Sequence, residues 1–451
     1  MRRPRLPIDV RRATRASPLQ EMHLAERICF WTYVALGPLA WTSCAYFLTI
    51  GRERMNKLLK SRSVLPENAP LVSILVPAKD EGSRIADCIG RVLGQDYPSF
   101  EVIAINDRST DDTGEVLDQV AAANSSPPPL KGGGGGRDLG GLVARQVPPD
   151  SRTTKPRIRV FHIDLLPPGW LGKCHALDAG ARHAEGEWLL FVDSDVVLQP
   201  NALSQLAALS IDRSYDALSI LTTIETHNLA EKAMLPLLAA TWSSTFAADQ
   251  TNEDSQTDVA LANGQVFLVR KSAYDAVGGH AAVRDRIVED VELARLLKKQ
   301  GFKMRFLSGA HLARTRMHET LGHMFNAWAR IFAGTARGRI WPMVRTVLFL
   351  VCCGLTLLPA AAWAVAGGNV YWQVAVAAHA VYIAVTMGLI WRWSGNNPLY
   401  VLLLPISVFI ELAILIFSIR KAISGKIDWR GMSIDLRQTS RFSAAGPSEV
   451  R

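Results

Sequence analysis

The usual cysteine chemistries are missing from this chain. It holds six cysteines in 451 residues, with no C-x-x-C pair and no Cys/His spacing of the zinc kind. Cys29, Cys44, Cys352 and Cys353 fall in apolar runs, and Cys88 and Cys174 stand alone. This excludes a disulfide framework and fits a reducing compartment. A nucleotide P-loop is also missing. The glycine run Gly132–Gly136 leads into Arg137-Asp138 rather than GK[ST], and no strand feeds it. Basic residues interleaved with aromatics are absent too, so nucleic acid is not an expected partner. The net charge of +9 has a simpler origin. Arg2, Arg3, Arg11, Arg12 and Arg15, then Arg420, Lys421, Lys426 and Arg430, lie beside apolar segments, where anionic lipid would meet them.

Long uncharged runs are what the chain does have. Ile28–Ile50, Thr346–Ala366 and Val370–Trp391 carry no charge, and Leu399–Ile419 carries only Glu411. About 20 apolar residues cross a bilayer. The expected plan is a basic tail at 1–27, a transmembrane helix at 28–50, a linker at 51–70, a soluble domain, three spans within 346–419 and a basic tail at 420–451. A cleaved signal peptide is the alternative for Ile28–Ile50, but its apolar core would be shorter, roughly 7–15 residues. Glu411 inside a span is a functional candidate by default. The plain alternative is that it faces water or pairs with Arg392.

Between these runs the pattern is α/β. Leu71–Pro77 and Phe100–Ile105 read as strands, and Ser83–Val92 and Thr113–Ala122 as helices, which implies a parallel sheet. Residues 124–157, rich in Gly, Pro and Ser, read as a disordered insertion. Ile158–Ile163 is a third strand and Lys173–Ala184 a helix. Trp188–Val192 lacks polar alternation, as a central strand covered on both faces does. It runs into Asp193-Ser194-Asp195, at the strand end where ligands of such sheets bind. In extended backbone these two acids point the same way. Side by side they repel, and a bound Mg2+ or Mn2+ would remove that cost while keeping positions for phosphate oxygens. The alternative is a helix-capping Asp beside a solvated one.

Several segments recur in a known order: Val72–Pro77, Ile103 through Asp107-Arg108-Ser109-Thr110-Asp111, Gly172-Lys173, Asp193-Ser194-Asp195 and Val288-Glu289-Asp290. Across 71–316 the chain resembles family 2 glycosyltransferases of the GT-A fold, a Rossmann-like, mostly parallel sheet. The resemblance implies a nucleotide-sugar donor contacted by Pro77, Glu81, Asp107, Lys173 and Asp193, and a metal on Asp195 with Asp193. It further implies Asp290 as the base of an inverting displacement, with Glu289 as the alternative base. Lys173 would place a positive charge beside the diphosphate, or else simply start a helix facing water. Gly264 would let substrate approach the backbone closely. Glu289 and Asp290 also suit a helix start by themselves.

Two departures narrow the reading. Asp178 stands where the family often has Asn. No QxxRW follows the ED segment, which argues for a non-processive enzyme. His311, His318 and His323 are minor candidates, with Arg314 and Arg316 as diphosphate contacts. Met317, Leu321, Met324, Phe325, Trp328 and Phe332 recur at helical spacing. They predict an amphipathic helix over 317–341 that lies in the membrane interface or packs on the catalytic core. A second apolar segment, Met234–Phe246, falls where an acceptor groove would be, so a lipid acceptor is expected. PPGWLGKCHAL and VEDVELARLLKKQGF look most like a bacterial carotenoid- and hopanoid-associated subgroup, which implies a UDP-hexose and a polyprenoid hydroxyl or carboxyl. A polyprenyl phosphate, a sphingolipid and a glycerolipid remain open as acceptors. A cytosolic donor implies a cytoplasmic catalytic domain on the inner membrane. Competing classes are a membrane-bound nucleotidyltransferase and a non-catalytic nucleotide-sugar-binding protein.

Overall fold

The computed structural model describes residues 22–42, 63–125, 157–246, 248–317, 320–336, 339–367, 369–429 and 432–435, with a few positions between 45 and 53. The sequence features expected at 1–21, most of the 51–70 linker, the insertion at 126–156, His318 and the tail at 436–451 lie outside the described residues.

The strands are β1 (Val72–Ala78), β2 (Phe100–Asp107), β3 (Arg157–Ile163), β4 (Trp188–Val192), β5 (Val196–Leu198), β6 (Ala217–Leu221), β7 (Thr223–Ile224), β8 (Val266–Arg270), β9 (Met304–Ser308) and β10 (Ala313–Thr315), followed by a hairpin of β11 (Lys426–Trp429) and β12 (Met432–Asp435). The helices are α1 (Leu24–Val34), α2 (Gly82–Leu93), α3 (Thr113–Ser125), α4 (Gly172–Arg182), α5 (Ala202–Asp212), α6 (Leu229–Thr245), α7 (Lys271–Ala276), α8 (Glu289–Lys299), α9 (Leu321–Ala336), α10 (Trp341–Leu350), α11 (Leu357–Ala366), α12 (Val370–Trp393) and α13 (Leu404–Ser424).

Seven strands form the main sheet in the order β3-β2-β1-β4-β8-β6-β9. All run parallel except β8, which pairs antiparallel with both β4 and β6. The chain winds outward from β1 to β3, then returns to lay β4 on the other side of β1. That reversal leaves a crevice beyond the carboxyl ends of β1 and β4. A smaller sheet, β5-β10-β7, flanks it.

Strand alternation divides the core. Val72, Ile74, Val76, Trp188, Leu190 and Val192 pack with Ile85 and Ile89 of α2 and Leu203 and Leu206 of α5. Leu75, Leu189, Phe191 and Phe267 point the other way, toward Ala176 and Leu177 of α4, Leu238 of α6 and Val291 of α8. This second core does not stop at the sheet. It continues through Met324, Trp328 and Phe332 of α9 into Val408, Leu412 and Leu415 of α13.

Three helical stretches are long and apolar enough to cross a membrane: Trp341–Ala366, Val370–Trp393 and Pro398–Ser424. The first joins α10 to α11 through a π-helical turn at Val351–Leu355. Residues 28–50 are described only in part. There α1 passes into a second π turn at Ala35–Leu39 that contains Pro38. His379 of α12 lies between the two turns, with Nδ1 2.9 Å from the Tyr33 hydroxyl and Nε2 2.8 Å from the Cys353 carbonyl oxygen. The Trp41 indole N–H donates to that same carbonyl. A π turn leaves a carbonyl without its helical partner, and these side chains supply one.

Two expected boundaries move. Arg420 and Lys421 belong to the last turns of α13 rather than to a tail, and residues 426–435 form the β11–β12 hairpin. The amphipathic segment becomes α9, whose Met324, Trp328 and Phe332 are buried, because α6 and α13 cover that face.

Candidate active site

The crevice between β1 and β4 opens into a cleft of about 510 Å3. Pro77, Glu81, Asp107, Lys173, Asp193, Asp195, Gly264, Glu289 and Asp290 all line it. Residues from six separate stretches of chain therefore meet at one place.

The strand register explains the meeting. Asp193 continues the face of Leu189 and Phe191, the face that α4 covers. Lys173 stands in the first turn of α4, and its Nζ lies 2.7 Å from Asp193 Oδ1. The same ammonium lies 2.9 Å from Glu289 Oε1. Glu289 and Asp290 open α8, where the macrodipole favours acids. The backbone N–H of Gly264 donates to Asp290 Oδ2 at 2.5 Å, and that of Val291 to Oδ1 at 2.7 Å. A Cβ at Gly264 would lie 3.0 Å from Lys173 Nζ and 3.1 Å from Asp290 Oδ2. A side chain there would press on both the lysine and the carboxylate.

Gly264 is itself fixed from behind. Its neighbour Asn263 donates from N to Ser219 Oγ at 2.7 Å and from Nδ2 to Gln265 Oε1 at 3.0 Å. The Thr222 hydroxyl also donates to Gln265 Oε1, at 2.5 Å. The Asp193 N–H donates to the Gln265 carbonyl at 3.2 Å, which ties the acidic turn to β8.

Charge is concentrated here. Burial pushes the Asp290 carboxyl up to about 7, adjacent Glu289 adds to the rise, and Lys173 opposes it. Asp193 rises to about 6 through burial, opposed by Lys173 and reinforced by Asp195. Asp195 rises as well, through burial, with the Thr315 hydroxyl working against it and Glu81 with it. Burial disfavours the Lys173 ammonium, but Asp193, Glu289 and Asp290 outweigh that and hold its pKa well above the usual lysine value. Lys173 and Asp193 keep 30% and 26% of their side-chain surface open, so water in the cleft moderates all these effects.

The donor set fits a divalent cation that shares its coordination with substrate. Among the described residues no three His, Cys, Asp or Glu side chains converge as a protein-only metal site. Asp193 and Asp195 offer two hard oxygen donors in a partly buried turn. Mg2+ and Mn2+ suit such a pair, with substrate phosphates and water completing the shell. A closed zinc site, which needs four protein ligands, does not fit.

At the β1 and β2 end, Asp107 is held by Arg108, with Nε to Oδ1 at 2.8 Å and Nη2 to Oδ2 at 3.1 Å. Asp80 and Arg108 both adopt φ +54°, a left-handed conformation that non-glycine residues take at some cost and that clusters at functional sites. The sequence reading gave no site role to Lys79, Arg84, Arg108 or Arg330, which also line the cleft. Arg108 lies within a quoted motif and Lys79 close to Glu81, so both could have been found there. Arg330 lies in α9, and nothing local in the sequence marks it. The minor candidates lie elsewhere. Arg314 pairs with Glu225 at 3.1 Å, His311 lies against Gln205, and exposed His323 is not in the lining. Arg316 is also outside the lining. Asp178 pairs with Arg182 at 2.7 Å within α4.

The α6 and α9 part of the lining is mostly apolar. Ala239 and Trp242 of α6, Ile287 and Val288, and Ala327, Trp328 and Ile331 of α9 form it, with Ser243 and Arg330 among them. Of the apolar segment expected to shape an acceptor groove, Trp242 reaches the cleft, whereas Leu235 and Leu238 are buried in the core behind it.

This is a GT-A-type α/β domain with paired acids at its switch point, followed by three helical stretches long and apolar enough to cross a membrane. A family model described as glycosyl transferase family 21 matches residues 158–442, and one for glycosyl transferase family 2 matches residues 73–131. The chain belongs to glycosyl transferase family 21. Among curated relatives, 4,4'-diaponeurosporenoate glycosyltransferase of Staphylococcus aureus (strain USA300) is 25% identical over 288 residues, covering 63% of this chain and 66% of that one. The same enzyme from strain MRSA252 is 24% identical over 291 residues. The chain thus spans 66% of the length of these relatives, just under two thirds. A solved mannosyltransferase from Pyrobaculum calidifontis, in complex with GDP-Man and Mn2+, matches with TM-score 0.51 at 16% identity, over 87% of this chain and 99% of that one. At that identity the match shows the fold.

Proposed function

We propose that this protein is a membrane-bound, non-processive, inverting glycosyltransferase that moves a hexose from a UDP-sugar to a lipid acceptor. The observation that carries the reading is one cleft lined both by a charged cluster and by apolar side chains from α6 and α9. Lys173, the paired acids and the charged ends of β1 and β2 suit a nucleoside diphosphate. Trp242, Trp328 and Ile331, on helices that pack against membrane spans, suit an apolar chain.

Asp107 and Glu81 would orient the nucleoside, with Pro77 beside them in the wall. Lys173 holds positive charge next to the departing diphosphate. A divalent cation bound by Asp195 and Asp193 would act as a Lewis acid on the growing phosphate charge. Asp290 takes the acceptor's proton as its oxygen attacks the anomeric carbon. Its carboxyl, pushed up to about 7, is basic enough for that transfer near neutral pH. Where the acceptor is already a carboxylate, Asp290 would orient it rather than deprotonate it. The Gly264 and Val291 N–H groups keep the Asp290 carboxylate in one orientation. Glu289, already paired with Lys173, is the poorer base. The curated relatives are named for a polyprenoid carboxylate, which supports an acceptor of that class. A cytosolic donor places the catalytic domain on the cytoplasmic side.

The test is incubation of the full chain in lipid nanodiscs with labelled UDP-sugars, Mn2+ and a total lipid extract. Expected products are UDP and a lipid that gains one hexose. Release of pyrophosphate would mark a nucleotidyltransferase, and binding without turnover a mere receptor. Full turnover in both Asp195→Ala and Asp290→Asn would refute the site.

A further inference from the structure

Glu411 sits inside the last membrane span and is 0% exposed. Neither carboxyl oxygen has a hydrogen-bond partner of good geometry, and the expected pairing with Arg392 is not made. An isolated charge in such surroundings is too costly to keep. The group that lies against the carboxyl is the hydroxyl of Thr241 on α6.

The placement of Thr241 gives this contact its meaning. α13, which carries Glu411, packs on both α6 and α9. Those helices supply Ala239, Trp242, Ala327, Trp328 and Ile331 to the cleft. At about 100° per residue, Thr241 lies roughly 200° around α6 from Ala239. Its hydroxyl therefore meets α13 behind the wall whose front is the apolar part of the cleft. Other polar contacts tie the same helix to its surroundings. Ser407 donates to the Ala233 carbonyl at 3.1 Å, Trp391 Nε1 to the Lys232 carbonyl at 2.7 Å, and Trp242 Nε1 to Thr335 Oγ1 at 3.4 Å. Thr245 and Thr346 hydroxyls meet at 2.8 Å. A row of hydrogen bonds thus fixes α6, with Glu411 facing it at Thr241.

We propose that Glu411 is a positioning residue for the acceptor. As a neutral carboxylic acid it donates its proton to Thr241 Oγ1 and so sets where α6, the wall of the apolar part, stands against the membrane helices. This rests on the reading that the apolar part receives the acceptor.

The test uses full-length protein in nanodiscs with Glu411→Gln, Glu411→Leu and Thr241→Val. Gln keeps an uncharged donor of similar size and is expected to stay within about twofold of the parent. Leu and Val are expected to raise the apparent KM for a dispersed total lipid extract roughly fivefold to tenfold. The KM for UDP-sugar and the acceptor-free release of UDP stay unchanged. In parallel, amide hydrogen exchange over residues 229–245 becomes faster in Glu411→Leu and Thr241→Val but not in Glu411→Gln. That readout needs no turnover, so it separates this proposal from failure of the proposed activity. Should Glu411→Leu not fold, Thr241→Val alone decides. A Gln variant as impaired as Leu, unchanged exchange in α6, or equal changes in both KM values would overturn the idea.

Discussion

Glu289→Gln is the sharpest probe of the charge cluster. Glu289 neighbours Asp290 and raises its pKa, and it also takes a share of the Lys173 ammonium at 2.9 Å. Neutralising it removes a repulsion and frees the cation for Asp290, so both effects push Asp290 down. Two unit charges about 5 Å apart at an effective dielectric of about 20 interact by about 3 kcal/mol, or about two pH units. Open solvent in the cleft reduces this to about one unit. The assay is log(kcat/KM) for sugar transfer between pH 5 and 9. The parent should gain activity through about pH 7, as the Asp290 carboxyl loses its proton. The variant should make the same rise about one unit lower. An unmoved or upward-shifted limb would refute the assignment of Asp290 as base. Complete loss of turnover would hand that role to Glu289.

The same cluster predicts a stability profile. Folding raises Asp193 to about 6 and Asp290 to about 7, so the folded state holds protons that the unfolded chain releases near pH 4. Their contribution to stability is full below that pH and is lost as pH rises through 6 and 7. Thermal melts from pH 5 to 8 should show the decline, flattened in Asp193→Asn/Asp290→Asn. Gly172→Ala places a Cβ against Asp107 Oδ2 and Arg108 Nη2. It should raise the donor KM about tenfold, through the 1 Å-scale displacement such a contact forces, with little change in melting. Lys298 is buried and donates to the carbonyls of Thr251 and Val259 at 2.7 Å and of Glu253 at 3.1 Å. Lys298→Met strands three acceptors and should cost about 3 kcal/mol in chemical denaturation. A loss under 1 kcal/mol would show that water replaces the ammonium.

Much of the charged part of the cleft was legible because it lies at strand ends. Trp188–Val192 announces a central strand by lacking polar alternation, and the residue after it falls at the strand's carboxyl end, in the lining of the cleft. Asp107 and Glu81 follow from the same rule at β2 and β1. The membrane spans were legible by length alone, except that 28–50 is only partly described. The apolar part was less so. Helical spacing in α9 marks an apolar face but not its partner, which turned out to be protein on α6 and α13. The antiparallel β8 and the Lys298 contacts depend on what the fold brings near. No local pattern distinguishes Lys298 from Lys299, which is half exposed. Glu411 stood out as an acid among apolar neighbours, yet only the packing shows that it meets Thr241.

Because Leu75 and Phe191 of the sheet share an unbroken interior with Leu412 and Leu415 of the final span, the enzyme does not divide into a soluble head and a greasy anchor. Cutting the chain after residue 316 would lay bare the side of α6 that bears Trp242 and Thr245, which meet Thr335 and Thr346. Such a fragment should precipitate or cling to detergent. Any effort to capture this protein for crystallisation or engineering has to carry the three long apolar helices along, as part of the body that shapes the cleft.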